Sequence, residues 1–380
     1  MDNFPWELIN PYCDEVDEKN IGVFFKDPKF LELNTTVLNA IYYRIRKNPD
    51  LTKLPQNIVS ELSQIYHRNL ARNTLLRQNL LDILGQFNAN GLQCIVLKGG
   101  ISLFQSIYPT NAIRYMGDID LLVDSNDFEK AKSLLNKNNY FLKDDGSFYN
   151  DDTILFIDLH SSKNRQYKNK KIDIDQFIKK AQVISVDGVD VRIPSHIDQL
   201  WYYFYHSFYR HSYLAEPDNP EVLLELISYI KSYEGLIDFN ELIQRAFHSK
   251  CELVFAIVVY LLDERFSTSL LDDRLHDPNL ALFLSWIKYS KQINKKYHYA
   301  LSRYNQINIT RPGLFRKFVQ TIKVLIITPV LFEKKEFILS FYKVKNSRLL
   351  PLLKTIHIFR LFFLNCFIWF KWIIFYLKKH

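Results

Sequence analysis

The sequence is poor in cysteine, with only Cys13, Cys94, Cys251 and Cys366 in 380 residues. These four are far apart and match neither a metal-ligand spacing nor a disulfide framework. We therefore interpret them as buried thiols of a protein in a reducing compartment. The first twenty residues also lack the positive and then apolar run of a secretory signal, so a cytoplasmic protein is expected.

The chain has little of what marks linkers and fibrous proteins, with 10 glycines and 13 prolines and no Pro-rich stretch. No repeat of solenoid period is visible. The apolar content of 48% is ample for a buried core, which excludes general disorder. The length therefore predicts two or three packed units.

Acidic residues are scarce in the C-terminal part of the chain. Residues 288–380 contain 19 Lys or Arg and only two acids, Glu333 and Glu336, a net charge of +17. Because the whole chain carries +8, the first 287 residues carry −9. A basic and aromatic end favours an anionic partner, either membrane lipid or a polyanionic substrate.

Periodicity predicts a mixed set of elements over the first half of the chain. Residues 61–91 repeat apolar positions at helical intervals and end at a glycine, which predicts a long helix. A short apolar strand at QCIVL then leads into a Gly-Gly turn and a second helix at ISLFQSIY. Further strands are predicted at IDLLV and TILFIDLH, with a helix at FEKAKSLLNKNNY between them. VISV and VDVRI form a predicted hairpin around Asp187-Gly188.

Residues after Ser195 show helical spacing with almost no strand signal. We therefore predict an α+β fold with a helical C-terminal module. The predicted divisions are an N-terminal helical segment at 1–59, the core at 60–194, a helical module at 195–287 and a basic apolar tail at 288–380.

Asp118 and Asp120 in MGDIDLLV are two positions apart, so on a strand both side chains project from one face. Carboxylates placed in this way repel each other unless a cation lies between them, and hard oxygen ligands select Mg²⁺ or Mn²⁺. An Asp-x-Asp pair is alternatively the mark of a strand edge or a turn. Taken alone, the pair favours the strand-edge or turn interpretation, and its context decides for a metal site.

The turn LKGG lies upstream of the two acids, and Gly99-Gly100 is predicted to open a helix. Free backbone N–H groups at a helix start bind phosphate oxygens, and a Cβ would block that approach. Lys98 or Arg114 is expected to neutralise the remaining phosphate charge. Together with the acid pair, this turn predicts a nucleotide-binding corner.

A third acid is expected from a neighbouring strand, and Asp158 in ILFIDLH fits that position. Asp158 and His160 share one face of the predicted strand while Ile157 and Leu159 face the core. An acid within an apolar strand is costly unless it is paired or bound to metal. His160 is either an acceptor-side residue or a hydrogen-bonding neighbour.

The segments LKGGISLFQSIYP, IRYMGDIDLLV and IDLH resemble the uncharacterised nucleotidyltransferase family of the polymerase-β-like nucleotidyltransferase superfamily. The similar context extends over residues 60–285. One departure is Ser161, where the family commonly has Trp, which concerns the wall of the acceptor pocket. The resemblance implies a mixed sheet with flanking helices.

The resemblance also implies an enzyme that uses two metal ions and a nucleoside triphosphate, with ATP expected. Asp118 and Asp120 would bridge both Mg²⁺ or Mn²⁺ ions, and Asp158 would hold the ion that activates the acceptor hydroxyl. The nucleotidyl or phosphate group would pass to a glycan precursor, peptide, protein or small molecule. The alternative is a catalytically silent nucleotide-binding or regulatory protein with the same fold.

The last 33 residues are apolar and aromatic but are interrupted by Lys354, Arg360 and Lys371. A spanning helix needs about twenty apolar residues, so an interfacial helix is favoured. Trp369 and Trp372 with flanking lysines suit the headgroup region of the inner membrane face. Packing on the protein itself is the alternative. No nucleic-acid-binding motif accompanies the charge, so nucleic acid is not expected as a partner.

Overall fold

A computed structural model describes the chain in several stretches. The described residues are 4, 6–12, 24–25, 28–48, 54–144, 146–162, 174–210, 219–249, 251–270 and 275. The predicted basic tail at 288–380 lies outside them, and the predicted domain boundaries stay predictions.

The described residues fall into two compact units. The first takes in those of Met1–Phe204, Pro220–Leu242 and Glu264–Thr268, and it contains the whole sheet. The second takes in those of Tyr205–Asn219, Ile243–Asp263 and Ser269–His380.

Helices account for much of the described chain. The α-helices are α1 Trp6–Ile9, α2 Thr35–Lys47, α3 Gln56–Ala89, α4 Phe128–Lys137, α5 Ile174–Lys179, α6 His196–Tyr205, α7 Pro220–Ser232, α8 Phe239–His248 and α9 Glu252–Phe266. Two 3-10 helices, Pro28–Glu32 and Lys98–Leu103, and a π-helical turn, His206–Arg210, complete the set. Within the described residues, none of these helices has the length and apolarity needed to cross a bilayer.

One seven-stranded mixed sheet is present in the described residues, in the order β3-β4-β5-β2-β1-β7-β6. Its strands are β1 Cys94–Val96, β2 Ile119–Val123, β3 Phe141–Leu142, β4 Phe148–Tyr149, β5 Phe156–Ser161, β6 Gln182–Val186 and β7 Val189–Ile193. The β2–β5 and β1–β7 pairs are parallel and the others antiparallel. The mixed sheet with helices confirms the α+β class predicted from the sequence.

The predicted hairpin around Asp187-Gly188 is confirmed as the β6–β7 pair. Asp187 has φ 51° and Gly188 has φ 81°, the two positive values that a two-residue type I′ hairpin turn needs. The long helix predicted over residues 61–91 is α3, and the chain leaves it through Gly91 at φ 66°.

The prediction of an ordinary helix after the Gly-Gly turn is wrong. The chain instead forms the short 3-10 helix Lys98–Leu103, which begins at Lys98 itself. This turn is closely packed, because a Cβ on Gly100 would lie 2.8 Å from Val96 Cγ1 and 3.2 Å from Ile119 Cγ2. The tight turn therefore lies directly against strands β1 and β2.

Candidate functional site

Asp120, Asp158 and His160 meet on the central parallel strand pair. The β2–β5 register places Asp120 beside Asp158, and His160 follows Asp158 on the same face of β5. His160 Nε2 lies 2.8 Å from Asp120 Oδ1 and 3.3 Å from Asp158 Oδ2. Asp120 and His160 are buried, whereas the Asp158 side chain is 41% exposed. The cluster is thus anchored in the sheet and open on one side.

Lys98 supplies the positive charge of this cluster. Its ammonium donates to Asp120 Oδ1 over 2.6 Å, so Lys98 and His160 share one carboxylate oxygen. Burial by itself raises the pKa of Asp120, but the hydrogen bond from His160 and the Lys98 ammonium outweigh it and lower the pKa to about 2. Asp120 is therefore a carboxylate that stays ionised under physiological conditions.

Asp118 has different surroundings, although it belongs to the same motif. It precedes β2 and is more exposed than Asp120. Partial desolvation raises the pKa of Asp118, and the carboxylates of Asp120 and Asp158 raise it further against the lowering effect of Lys98. Asp118 therefore feels both neighbouring acids, but it is not part of the tight Asp120–Asp158–His160 group.

Gly99 and Gly100 lie in the turn beside this cluster, but their missing Cβ atoms point into the protein. A Cβ on Gly99 would lie 3.1 Å from Met116 Cγ, and one on Gly100 would meet Val96. Close packing of the turn thus explains both glycines without a ligand. Their role in binding phosphate stays a prediction.

Arg114 is placed away from solvent and already has anionic partners. Its Nη1 lies 2.6 Å from Glu221 Oε1 and its Nη2 lies 3.0 Å from Glu225 Oε2. Burial raises the pKa of Glu225, and Arg114 opposes that rise. The structure therefore gives Arg114 a buried ion pair with α7, and its predicted contact with nucleotide stays a prediction.

Buried asparagines fix the loop that leads into β2. Asn69 Nδ2 donates to the carbonyls of Ala112 and Arg114 over 2.7 and 3.0 Å. Asn73 Nδ2 donates to the Arg114 carbonyl over 2.7 Å. The loop before the acid pair is therefore held by polar side chains that interrupt the apolar face of α3 at a four-residue interval.

A line of polar residues on α7 was not singled out from the sequence. Glu221, Glu225 and Tyr229 are four positions apart, and the line continues to Tyr233 just past the helix end; we call these four residues the α7 polar stripe. Residues at this spacing share one helix face, and here Glu225, Tyr229 and Tyr233 are buried. The regular spacing was the available signal, but acids and tyrosines on a helix are usually taken as its solvent face.

The donor set at the cluster fits a divalent cation. One ligand atom each from Asp120, Asp158 and His160 can be chosen so that all lie within 4.8 Å of one another. The two carboxylates suit Mg²⁺ or Mn²⁺, whereas the imidazole nitrogen is a ligand typical of transition metals. The sequence predicted the two acids and left His160 as either an acceptor-side residue or a hydrogen-bonding neighbour; the structure places it in hydrogen-bonding contact with Asp120.

The model of a protein family described as uncharacterised nucleotidyltransferase matches residues 34–267 of the chain. That match contains the sheet, the acid cluster and α7. No match was found among curated proteins or among solved structures.

Proposed function

Because the chain belongs to the uncharacterised nucleotidyltransferase family, we propose that it transfers a nucleotidyl group from a nucleoside triphosphate to a hydroxyl acceptor. ATP is the proposed donor, and transfer of a phosphate group is the alternative reaction. The acceptor is proposed to be a glycan precursor, a peptide, a protein or a small molecule. The observation that carries the proposal is the Asp120–Asp158–His160 group within the family match.

Asp120, Asp158 and His160 would hold a Mg²⁺ or Mn²⁺ ion, with Asp118 as a further carboxylate at the open side. A bound divalent ion supplies Lewis-acid charge at phosphoryl oxygens and lowers the pKa of a bound hydroxyl. The low pKa of Asp120 supports this role, because it keeps the carboxylate ionised at neutral pH and so able to bind a cation.

Lys98 would bring positive charge to the triphosphate. Its ammonium already lies within the acid cluster, 2.6 Å from Asp120, so a phosphate oxygen bound there would lie close to it. Gly99 would contribute a backbone N–H group of the turn, whereas the N–H of Gly100 donates to the Leu97 carbonyl in this structure. Catalysis of this kind needs positioning and charge neutralisation and no covalent nucleophile.

Transfer from labelled ATP tests the proposed reaction. The full-length protein is incubated with Mg²⁺, a cell extract as the source of acceptor, and ATP labelled at either the α- or the γ-phosphate. Nucleotidyl transfer labels a product from α-labelled ATP only, whereas phosphoryl transfer labels it from γ-labelled ATP only. Asp120→Asn is the matched inactive control, and label transfer that persists in this variant would remove the cluster from the mechanism.

The silent-protein alternative is separated by the same assay. A protein that binds ATP with Mg²⁺ but labels nothing from any extract fraction would be a nucleotide-binding or regulatory protein. Asp118 supports the enzyme, because burial and the charges of Asp120 and Asp158 disfavour its carboxylate unless a cation is bound there.

The basic C-terminal region at 288–380 is proposed to bind the anionic inner face of a membrane peripherally. The support is its net charge of +17 together with Trp369 and Trp372 among apolar and basic residues. The corresponding location is the cytoplasm, with the protein associated peripherally with the inner face of the membrane.

A further inference from the structure

The Lys98 backbone adopts a conformation that is uncommon for a lysine. Its φ is 49°, in the left-handed region where a side chain with a Cβ is disfavoured. Such a conformation persists only where the surrounding structure holds it, and it is concentrated at functional sites. Lys98 is also the residue whose ammonium lies 2.6 Å from Asp120 Oδ1. The contacts that hold the Lys98 backbone therefore affect the position of its ammonium beside Asp120.

Tyr229 of α7 reaches this backbone from the other side of the turn. Its hydroxyl donates to the Lys98 carbonyl over 3.2 Å. The Tyr229 side chain is 1% exposed, so the ring has little freedom to move. The adjoining carbonyls of the turn have their own donors, Leu97 O from Gly100 N and Gly99 O from Ser102 Oγ.

Tyr229 is itself fixed through the α7 polar stripe. One turn earlier, Glu225 pairs with Arg114, and one turn before that Glu221 pairs with the same guanidinium. Arg114 lies four residues before Asp118, in the loop held by Asn69 and Asn73. One helix face thus contacts two of the segments around the acid cluster: the loop that enters β2 and the turn that carries Lys98.

We propose that Tyr229 is a positioning residue of this site, whose hydroxyl holds Lys98 in its left-handed conformation and so keeps the Lys98 ammonium on Asp120. Only the catalytic role of this contact rests on the proposed function. The contact between Tyr229 and Lys98 does not depend on any ligand.

Tyr229→Phe tests the proposal because it removes one hydroxyl and keeps the ring that fills the core. The readout is the rate at which an amine-reactive reagent labels Lys98 in the full-length protein, followed peptide by peptide by mass spectrometry. In the wild type the ion pair and the low exposure of the Lys98 side chain, 19%, protect its amine. Labelling measures how often that pair opens.

Loss of a hydrogen bond of ordinary strength changes such an opening equilibrium about fivefold. We expect Lys98 to be labelled about fivefold faster in Tyr229→Phe, while the surface amine of Lys132 keeps its rate. Tyr233→Phe is the matched control. Tyr233 is the next residue of the stripe, and its hydroxyl hydrogen-bonds with the side chains of Gln105 and Gln199 instead of the Lys98 turn.

Each variant is labelled below its own thermal unfolding transition, so that global unfolding does not contribute. Equal labelling of Lys98 in the wild type and Tyr229→Phe would overturn the proposal. An equal rise in Tyr229→Phe and Tyr233→Phe would also overturn it, because that result indicates general loosening of the core. A rise confined to Tyr229→Phe supports it.

Labelling in the presence of MgATP separates this inference from the proposed function. If the triphosphate contacts Lys98, MgATP slows Lys98 labelling in the wild type. If MgATP leaves the rate unchanged, the predicted contact of Lys98 with nucleotide is wrong, and the comparison of Tyr229→Phe with Tyr233→Phe still decides the positioning role.

Discussion

Asp118 and Asp120 are two positions apart in the chain, yet their charges have opposite effects on the stability of the folded state. Asp120 receives Lys98 and His160, which lower its pKa, whereas Asp118 has its pKa raised by desolvation and by neighbouring acids. The pattern Asp-x-Asp predicts a shared strand face but not this difference, because the cations come from the Lys98 turn and from β5. Neutralising the charge is therefore expected to relieve repulsion at Asp118 alone.

Asp118→Asn is expected to raise the melting temperature of the metal-free protein at neutral pH. A carboxyl group whose pKa is raised on folding is less stable ionised in the folded state than in the unfolded state, and the amide removes that penalty. Thermal unfolding in EDTA measures the change. A lower melting temperature would show that the Asp118 charge has a stabilising partner.

Asp120→Asn is expected to lower the melting temperature under the same conditions, since it leaves the Lys98 ammonium and His160 without their carboxylate. The stability from Asp120 is present above its ordinary pKa of 3.8 and is lost as the pH falls towards about 2. The wild type should therefore lose this contribution over that acid range, while Asp120→Asn does not. Parallel acid-unfolding curves for the two proteins would contradict this explanation.

Gly100→Ala should destabilise the protein, because its Cβ would lie 2.8 Å from Val96 Cγ1 within the packed turn. Overpacking of this kind costs about 1–3 kcal/mol. Gly117→Ala is the control for a neighbouring glycine, since a Cβ there meets nothing within 4 Å. Denaturant unfolding compares the two, and equal stability of both variants would show that the turn adjusts freely.

At the scale of elements, α7 contacts two segments around the acid cluster, the loop that enters β2 and the Lys98 turn. The Arg114–Glu225 pair is buried, with side chains 17% and 1% exposed, so its members are costly to separate. Arg114→Gln should lower the free energy of unfolding by about 3 kcal/mol, near the lower end for breaking a buried pair, because it leaves the buried Glu225 carboxylate without its cation.

Lys231→Gln is the matched control for the loss of a cation from a surface ion pair of α7. Its partner Glu234 is 73% exposed and lies 3.5 Å from Lys231, a surface pair that contributes little to stability. Urea unfolding of both variants should show a loss for Arg114→Gln alone. A similar small effect of both changes would mean that the Arg114 pair does not hold α7 in place.

The elements were predictable where their signals are local. Periodicity located α3, β2 and the β6–β7 hairpin, because buried faces and turn residues repeat at fixed intervals in those segments. β3 and β4 have only two residues each, too few for any alternation to be visible. The helical spacing of ISLFQSIY was misleading, because only its first three residues are helical, as the end of the 3-10 helix Lys98–Leu103.

The acids of the candidate site could be predicted from the sequence, whereas most residues that pair with charged groups there could not. Asp120 and Asp158 were recognisable as acids within apolar strands, and the register confirms that they are neighbours. The pairing of Arg114 with Glu225 joins residues more than a hundred positions apart, and no local pattern contains it. Long-range partners of charged residues are set by the tertiary fold.

At the scale of the whole molecule, the charge is divided between a body of −9 and a C-terminal region of +17. Full-length protein should float with vesicles of anionic lipid and not with neutral vesicles, because basic residues near such a surface contribute about 1 kcal/mol each. Salt should reduce this binding without abolishing it, since burial of the aromatic residues is not screened.

Trp369→Ala with Trp372→Ala in the full-length chain is the variant that tests the aromatic contribution, because it leaves the charge unchanged. Its residual binding should be removed entirely by high salt. Full-length protein that ignores anionic vesicles at low salt would contradict the membrane proposal and favour packing of this region on the protein.

The central claim is that Asp120, Asp158 and His160 hold the cation through which the protein binds a nucleoside triphosphate. Titration calorimetry of ATP into the full-length protein, with Mg²⁺ and then with EDTA, tests it most directly. We predict binding with Mg²⁺, loss of binding in EDTA, and loss of the Mg²⁺-dependent binding in Asp158→Asn, whose side chain is partly exposed and can change without a buried void. Equal ATP affinity with Mg²⁺ and with EDTA, or an unchanged Mg²⁺ dependence in Asp158→Asn, would contradict the account.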